Sequence, residues 1–204
     1  MLRKALLRIP WSLSLSYLEV MKWCLFLILT AFWLTGCIHR CEDPCVNGYC
    51  HEEACVCYNG YSGNTCDAQI EPSSIDIWEV RVTNFPASNE GLAWDPDGSG
   101  PDISPSLFFP GENEPFYYGF LEEGVRPNAS PENNNAWEVI EEEITELPQD
   151  ILCVLYDVEF ESGNSLRIMG EATGPLYESD NGFPATVTIT EGDYSFELSV
   201  SYEW

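Results

Sequence analysis

The stretch CEDPCVNGYCHEEACVCYNGYSGNTC, residues 41–66, places six cysteines within 26 residues. A segment this small has almost no apolar core, so crosslinks must dominate its stability. Clustered cysteines of this kind are typical of a disulfide framework formed in an oxidising compartment. Spacing alone leaves 15 possible pairings of six cysteines.

Two parts of this stretch resemble the EGF-like family. Its end, from Cys55 to Cys66, reads CxCxxGYxGxxC, and residues 44–48 read PCVNG. The resemblance covers residues 41–67 and implies the disulfides Cys41–Cys50, Cys45–Cys55 and Cys57–Cys66. No run typical of the calcium-binding subtype precedes Cys41. We expect a spacer or contact module; a bare disulfide knot that holds the next domain away from a membrane is the alternative.

The sequence before this stretch predicts export and lipidation. Lys22 is followed by an apolar run from Trp23 to Leu34, which is shorter than the about 20 residues that span a bilayer. The run ends in LTGC, residues 34–37, which resembles the lipobox of bacterial lipoproteins. The resemblance implies cleavage before Cys37 and acylation of that cysteine. An ordinary secreted thiol behind an ordinary signal peptide is the alternative.

Cleavage at this point divides the N-terminal part into a signal region, residues 1–36 with Met21 as the expected start, and a tether, residues 37–40. Two or three acyl chains on Cys37 exceed the two signals that stable anchoring needs, so the lipid bilayer is an expected partner. Ile38 stands where an aspartate would resemble an inner-membrane retention signal. The expected location is therefore the cell envelope, at the outer membrane or cell surface.

The charge of the mature chain excludes one class of partner. Cleavage leaves four arginines, no lysine and 33 carboxylates, a net charge of −29. Such a polyanion repels phosphate backbones, so nucleic acid is excluded. The lack of lysine removes Schiff-base chemistry, and the histidines, His39 and His51, lie in the tether and the cysteine stretch. We expect no enzyme; a hydrolase that uses two carboxylates is the remaining alternative.

A linker at residues 68–73 leads into a region with the pattern of β-strands. Apolar and polar residues alternate in Ile75–Val82, Thr186–Thr190 and Ser195–Tyr202, and residues 191–193 fit a turn between the last two. Further β runs lie near 105–110, 115–122, 137–146, 151–158 and 166–172. Eight strands without a long amphipathic helix predict an antiparallel β-sandwich over residues 74–204. Cys153, alone in an apolar run, is expected in its core.

Three segments of this region resemble C2 domains. Residues 94–102, WDPDGSGPD, resemble the first calcium loop of the family, and residues 135–137, NAW, resemble its NPxW segment. Residues 155–159, LYDVE, followed by residues 168–170, IMG, resemble its third loop. The resemblance implies a mainly β fold, an eight-stranded antiparallel C2-like β-sandwich with Ca²⁺ held by acidic loops at one end.

The implied calcium ligands are carboxylates, the hard oxygen donors that Ca²⁺ prefers. Asp95, Asp102 and Asp157 hold the best-matching positions, and Asp97 and Glu159 are supporting candidates. The first loop is one residue longer than the family pattern, Glu159 replaces an aspartate, and the third acid of the later loop is missing. The alternative is that Asp95 and Asp97 cap turns in a Gly- and Pro-rich loop.

Together these interpretations predict a membrane-anchored bacterial lipoprotein. It would act as a non-enzymatic binding or adhesion module at the cell envelope, with Ca²⁺ as its expected ion. Its ligand would be a protein or a glycan, and the aromatic residues 116–118 are candidates for that contact. A structural envelope lipoprotein without a specific ligand is the alternative.

Overall fold

The computed structural model describes residues 41–145, 150–159, 165–179 and 181–204, without the side chains of residues 122 and 140–142. The chain is mainly β over these ranges, as its alternating pattern predicts. The signal region and the tether, with the expected lipidation site Cys37, lie outside the described residues. Within the described part, no helix combines the length and the hydropathy needed to cross a membrane.

Residues 41–69 form a disulfide-rich region of four short strands. β1 (Gly48–His51) pairs with β2 (Ala54–Cys57), and β3 (Tyr61–Ser62) pairs with β4 (Ala68–Gln69), both antiparallel. The disulfides are Cys41–Cys50, Cys45–Cys55 and Cys57–Cys66. These are the pairs that the EGF-like resemblance implies.

Residues 74–203 contain the other eight strands, here called the two-sheet region. They are β5 (Ser74–Asn84), β6 (Ile103–Phe108), β7 (Tyr117–Tyr118), β8 (Ala136–Ile144), β9 (Asp150–Glu159), β10 (Ser165–Pro175), β11 (Thr186–Glu191) and β12 (Tyr194–Glu203). One antiparallel sheet has the order β11-β12-β5-β8, and the other has the order β10-β9-β6-β7. A helical turn, α1 (Gly119–Glu122), follows β7.

The predicted strand at 115–122 is wrong for its second half. β7 pairs with β6 through only two residues, and the chain then leaves the sheet at Gly119. The N–H groups of Glu123 and Gly124 both donate to the Gly119 carbonyl, which closes a helical turn there. Because β7 is so short, the two sheets do not form a clearly eight-stranded sandwich.

The two sheets contribute to one cluster of buried side chains. β5 supplies Ile75, Ile77, Val80 and Val82, β9 supplies Ile151, Cys153 and Leu155, and β12 supplies Phe196, Leu198 and Val200. The shift from odd to even positions in β5 coincides with a register irregularity between Ile77 and Glu79. Cys153 is fully buried and unpaired, as expected, and burial raises the pKa of its thiol.

The disulfide-rich region packs against the two-sheet region through Tyr61 and through Gln69, which lies in the stretch predicted to be a linker. The Gln69 side chain donates to the Tyr177 hydroxyl (3.0 Å) and the Gly182 carbonyl (3.2 Å), and accepts from the Gly182 N–H (3.0 Å). The Tyr61 ring meets the Phe183 ring edge-on, with centroids 5.4 Å apart. This contact fixes one region against the other through both polar and aromatic groups.

Candidate functional site

The loop of residues 94–102 is held at its start by a buried tryptophan. Trp94 is 6% exposed, and its Nε1–H donates to the Pro86 carbonyl at 2.9 Å. Asp95 follows directly and begins a turn in which the Gly98 N–H donates to the Asp95 carbonyl at 3.0 Å. Gly98 has φ of 88°, a conformation that favours glycine. The loop therefore holds Asp95 beside a fixed ring.

The carboxylate of Asp97 is hydrogen-bonded within the turn. Its Oδ1 accepts from the Ser99 N–H at 2.9 Å and lies 2.6 Å from the Ser99 hydroxyl. These bonds lower the pKa of the Asp97 carboxyl, the side-chain bond having the larger effect. The same hydroxyl is 2.8 Å from Oδ2 of Asp95, so its single proton is shared between two acceptors. Asp97 thus makes the turn-capping bond that the alternative interpretation predicts.

Asp102 connects this loop to two other segments. Its N–H donates to Oδ1 of Asp157 at 3.1 Å, and its carbonyl accepts from the Val158 N–H at 2.8 Å. Its own Oδ1 accepts from the Asn128 N–H at 2.8 Å. Asn128 was not predicted at the site, because backbone donors leave no residue-type signature in a sequence.

Asp157 is fully buried and forms an ion pair with Arg167. The two residues are directly opposite each other in the β9–β10 register. The same Arg167 Nη2 donates to the Trp94 carbonyl at 2.9 Å, and the guanidinium lies 5.0 Å from the centroid of the Trp94 ring. Arg167 therefore joins both acidic segments, and it already neutralises the best-buried of the predicted ligands.

Sequence reasoning missed Arg167, although a signal existed. A hairpin that pairs Glu159 with Ser165 necessarily pairs Asp157 with Arg167 two residues further along each strand. An acid and an arginine at such equivalent positions predict a cross-strand ion pair. Calcium ligands are acidic, so the resemblance to calcium loops does not point to an arginine.

Glu159 is the second acid that β9 places at the site. It follows Asp157 by two residues, so both side chains lie on the same face of the strand. Its Oε1 lies 3.9 Å from Arg167 Nη2. Burial, followed by the charges of Asp157 and Asp95, raises the pKa of the Glu159 carboxyl. The mutual repulsion of these acids marks a place where a cation would be stabilised.

The structure brings all five predicted ligands to one end of the two-sheet region. A cavity of about 200 Å³, here called the acidic cavity, is lined by Asp95, Pro96, Asp97, Ser99, Asp102, Asn128, Val158 and Glu159. Buried Asp157 is not among the lining residues, although one of its oxygens lies within 4.8 Å of oxygens from Asp95 and Glu159. Four predicted ligands therefore face the cavity, and the fifth lies beside it.

Three of the five acids, Asp95, Asp157 and Glu159, form a group that could hold a metal ion. One carboxylate oxygen from each of Asp95, Asp157 and Glu159 lies within 4.8 Å of the other two. Two oxygens that are each at about 2.4 Å from one Ca²⁺ can be at most about 4.8 Å apart. Because Asp157 Oδ2 is paired with Arg167 and Oδ1 accepts from Asp102, the cation would depend mainly on Asp95 and Glu159.

The chain was compared with protein families and with curated proteins. No family model matches the chain. No curated protein matches it either.

Two of the three aromatic residues predicted to contact a ligand, Phe116 and Tyr117, take part in packing. Tyr117 is fully buried and its hydroxyl donates to the Glu138 carbonyl at 3.2 Å. Phe116 stacks on Phe109, with ring centroids 4.6 Å apart, and packs against the core. These rings belong to the packing of the two-sheet region, which is the usual place for aromatic residues in strands.

Proposed function

We propose that this chain is a lipid-anchored, non-enzymatic binding protein of the bacterial cell envelope, whose acidic cavity takes up a divalent cation. The observation that carries the proposal is the charge at the cavity. Asp95, Asp97, Asp102, Asp157 and Glu159 meet there, and Arg167 offsets one of the five charges. Oxygen-only donors in this number favour Ca²⁺ over softer metals.

The finer fold that we propose is a C2-like β-sandwich. Its support is that two antiparallel sheets share one core, and that the loop of residues 94–102 and the end of β9 meet at one end of that core. Cation binding would stiffen these loops and reduce their negative charge. A protein or glycan ligand could then approach a surface that otherwise repels polar anionic groups.

The anchor is proposed from the sequence. The apolar run from Trp23 to Leu34 and the lipobox-like residues 34–37 support acylation of Cys37. The disulfides of residues 41–66 support an oxidising compartment. The disulfide-rich region would then stand between the membrane and the two-sheet region.

Calcium titration of thermal unfolding tests the cation site. Because Ca²⁺ would bind the folded chain and not the unfolded one, it should raise the free energy of unfolding by about 2.7 kcal/mol at a hundredfold excess over Kd. Magnesium should have a much smaller effect, since its octahedral shell fits such loops poorly. Sodium at matched ionic strength controls for screening of the chain's overall negative charge.

Two variants separate site binding from general charge. Asp95→Asn with Glu159→Gln should abolish the calcium shift and leaves the Asp157–Arg167 pair in place. Glu112→Gln with Glu114→Gln removes the same charge from another loop and should retain the shift. A calcium shift of equal size in both double variants would show that the cavity binds no specific cation.

A further inference from the structure

One face of the β1–β2 hairpin exposes a strip of aromatic and apolar side chains. Tyr49 is directly opposite Val56 in the hairpin, and Tyr58 follows Val56 by two residues. These side chains are 52%, 40% and 58% exposed, and the two tyrosine rings are 6.4 Å apart. The cysteines of both strands, Cys50, Cys55 and Cys57, alternate with them. Tyr49, Val56 and Tyr58 thus form one surface, here called the hairpin face.

The hairpin face lies in a short part of the chain that is rich in exposed apolar side chains. Eleven large apolar side chains are exposed in the described part of the chain, and five of them lie between residues 46 and 70: Val46, Tyr49, Val56, Tyr58 and Ile70. Single exposed apolar residues are ordinary, whereas a cluster of them marks an interaction surface. The contact with the two-sheet region uses Tyr61 and Gln69 and leaves the hairpin face open to solvent.

The position of the proposed anchor limits what can cover this face. Three residues separate Cys37 from Cys41, so the four Cα–Cα steps between these two cysteines span at most about 14 Å in an extended chain. Cys41 is bonded to Cys50 of β1, with 5.6 Å between their Cα atoms. A hairpin tied so closely to an acylated residue cannot move far from the bilayer surface.

The chemistry of the face suits that surface. Tyrosine has an apolar ring and a polar hydroxyl, and it concentrates at the interface between lipid and water. The same region carries Glu42, Asp43, Glu52 and Glu53, all exposed, which anionic headgroups would repel. Zwitterionic headgroups are therefore the better match.

We propose that the hairpin face lies against the zwitterionic headgroup layer of the membrane that holds Cys37. This inference rests on the proposed lipid anchor and adds an orientation to it. The disulfide-rich region would be a membrane-contacting base rather than a free stalk. This region also packs against the two-sheet region through Gln69 and Tyr61. The acidic cavity would therefore have a defined orientation relative to the bilayer.

Enzymatic iodination of tyrosines, mapped by peptide mass spectrometry, tests this orientation. Lipidated mature protein on phosphatidylcholine vesicles is compared with unlipidated Cys37→Ser mature chain in solution. Tyr49 and Tyr58 should be iodinated at least fivefold more slowly on the vesicles. Tyr118 and Tyr194, half-buried in the two-sheet region, should react at similar rates in both samples and serve as internal controls. Vesicles of phosphatidylglycerol at low salt should protect the two hairpin tyrosines less.

The outcomes distinguish the inference from the anchor. A mature protein whose mass shows no acyl chains on Cys37 would remove the anchor and the orientation together. Acylated protein in which Tyr49 and Tyr58 react equally fast on vesicles and in solution would leave the anchor and overturn the orientation. Protection in the Cys37→Ser chain itself, growing with protein concentration, would assign the hairpin face to a second copy instead.

Discussion

The disulfide-rich region and the two-sheet region reach a fixed structure by different means. Between residues 41 and 69 only Gly60 and Cys66 are buried, so three covalent bonds replace the missing core. The two-sheet region instead buries a large cluster of aliphatic and aromatic side chains and leaves its one described cysteine unpaired. The first region is stabilised by disulfides within a short segment. The second is stabilised by packing between side chains that are distant in sequence.

Reduction of the disulfides should therefore have the largest effect and a local one. The bridges close loops of 9, 10 and 9 residues, and each contributes about 2–4 kcal/mol in typical cases. We expect reduced protein to lose backbone amide protection throughout residues 41–66 in hydrogen-exchange mass spectrometry. Amides of β5, β9 and β12 should stay protected, because their core contains no disulfide.

Unreduced protein under the same buffer is the control for this measurement. Some loss of protection near residues 177–183 is expected as well, since Gln69 and Tyr61 contact that segment. Equal loss across both regions would contradict the distinction between them. A disulfide between Cys153 and any of the six cysteines, found by mass spectrometry of unreduced protein, would contradict it too.

The same contrast explains what the sequence could predict. The resemblance to the EGF-like family implied the three disulfides, which spacing alone leaves among 15 possible pairings, and the structure contains the same three pairs. The alternation of apolar and polar residues predicted both ends of β5, β11 and β12 to within two residues. The prediction failed at 115–122, where a helical turn begins at Gly119, because a single helical turn is too short to show in such a pattern.

The acidic cavity shows where sequence reasoning becomes insufficient. The five acids do converge at one end, as the loop resemblances imply. The hydrogen bonds and ion pairs of these acids involve residues outside the two acidic segments. Asn128 donates to Asp102, and Arg167 pairs with Asp157. The backbone donor of Asn128 has no signature in residue types, and the Asp157–Arg167 pair can be inferred from the sequence only once the β9–β10 register is assumed.

Breaking the Asp157–Arg167 pair should be the most damaging single substitution at the cavity. Asp157 is fully buried, whereas the Arg167 side chain is 43% exposed. Losing one partner of a buried pair typically costs about 3–5 kcal/mol. Because the Arg167 side chain is partly exposed, water can take its place and reduce this cost. We expect Arg167→Ala to lower the free energy of unfolding by about 2–3 kcal/mol in urea titrations.

Arg81→Ala is the matched control, because it removes the same charge from a more exposed pair. Arg81 lies 2.9 Å from Glu79, and the two side chains are 41% and 26% exposed. Its loss should cost at most about 1 kcal/mol. Asp157→Asn should cost less than Arg167→Ala, since it leaves no buried charge and keeps an acceptor for the Asp102 N–H. Similar costs for both arginine variants would mean that Asp157 is well solvated in solution.

An effect smaller than that of Arg167→Ala is expected at Gly60, on the boundary between the two regions. Gly60 has φ of 84°, and a Cβ added there would lie 2.3 Å from the Phe183 ring and 2.7 Å from the Trp204 ring. Gly60→Ala therefore combines backbone strain of about 1–2 kcal/mol with overpacking that typically costs about 1–3 kcal/mol, part of which moving the rings would relieve. We expect a total loss of about 2 kcal/mol by urea unfolding.

Gly111→Ala isolates the backbone contribution to that loss. Gly111 has φ of 91°, and no atom lies within 4 Å of an added Cβ, so only the strain of about 1–2 kcal/mol remains. The excess cost of Gly60→Ala over Gly111→Ala measures the packing of the disulfide-rich region on Phe183 and Trp204. Because that packing couples the hairpin to the two-sheet region, Gly60→Ala should also speed amide exchange at Gly182, whose N–H donates to Gln69. Equal costs for the two variants, with unchanged exchange at Gly182, would mean that the regions are joined by their chain connection and not by a fixed interface.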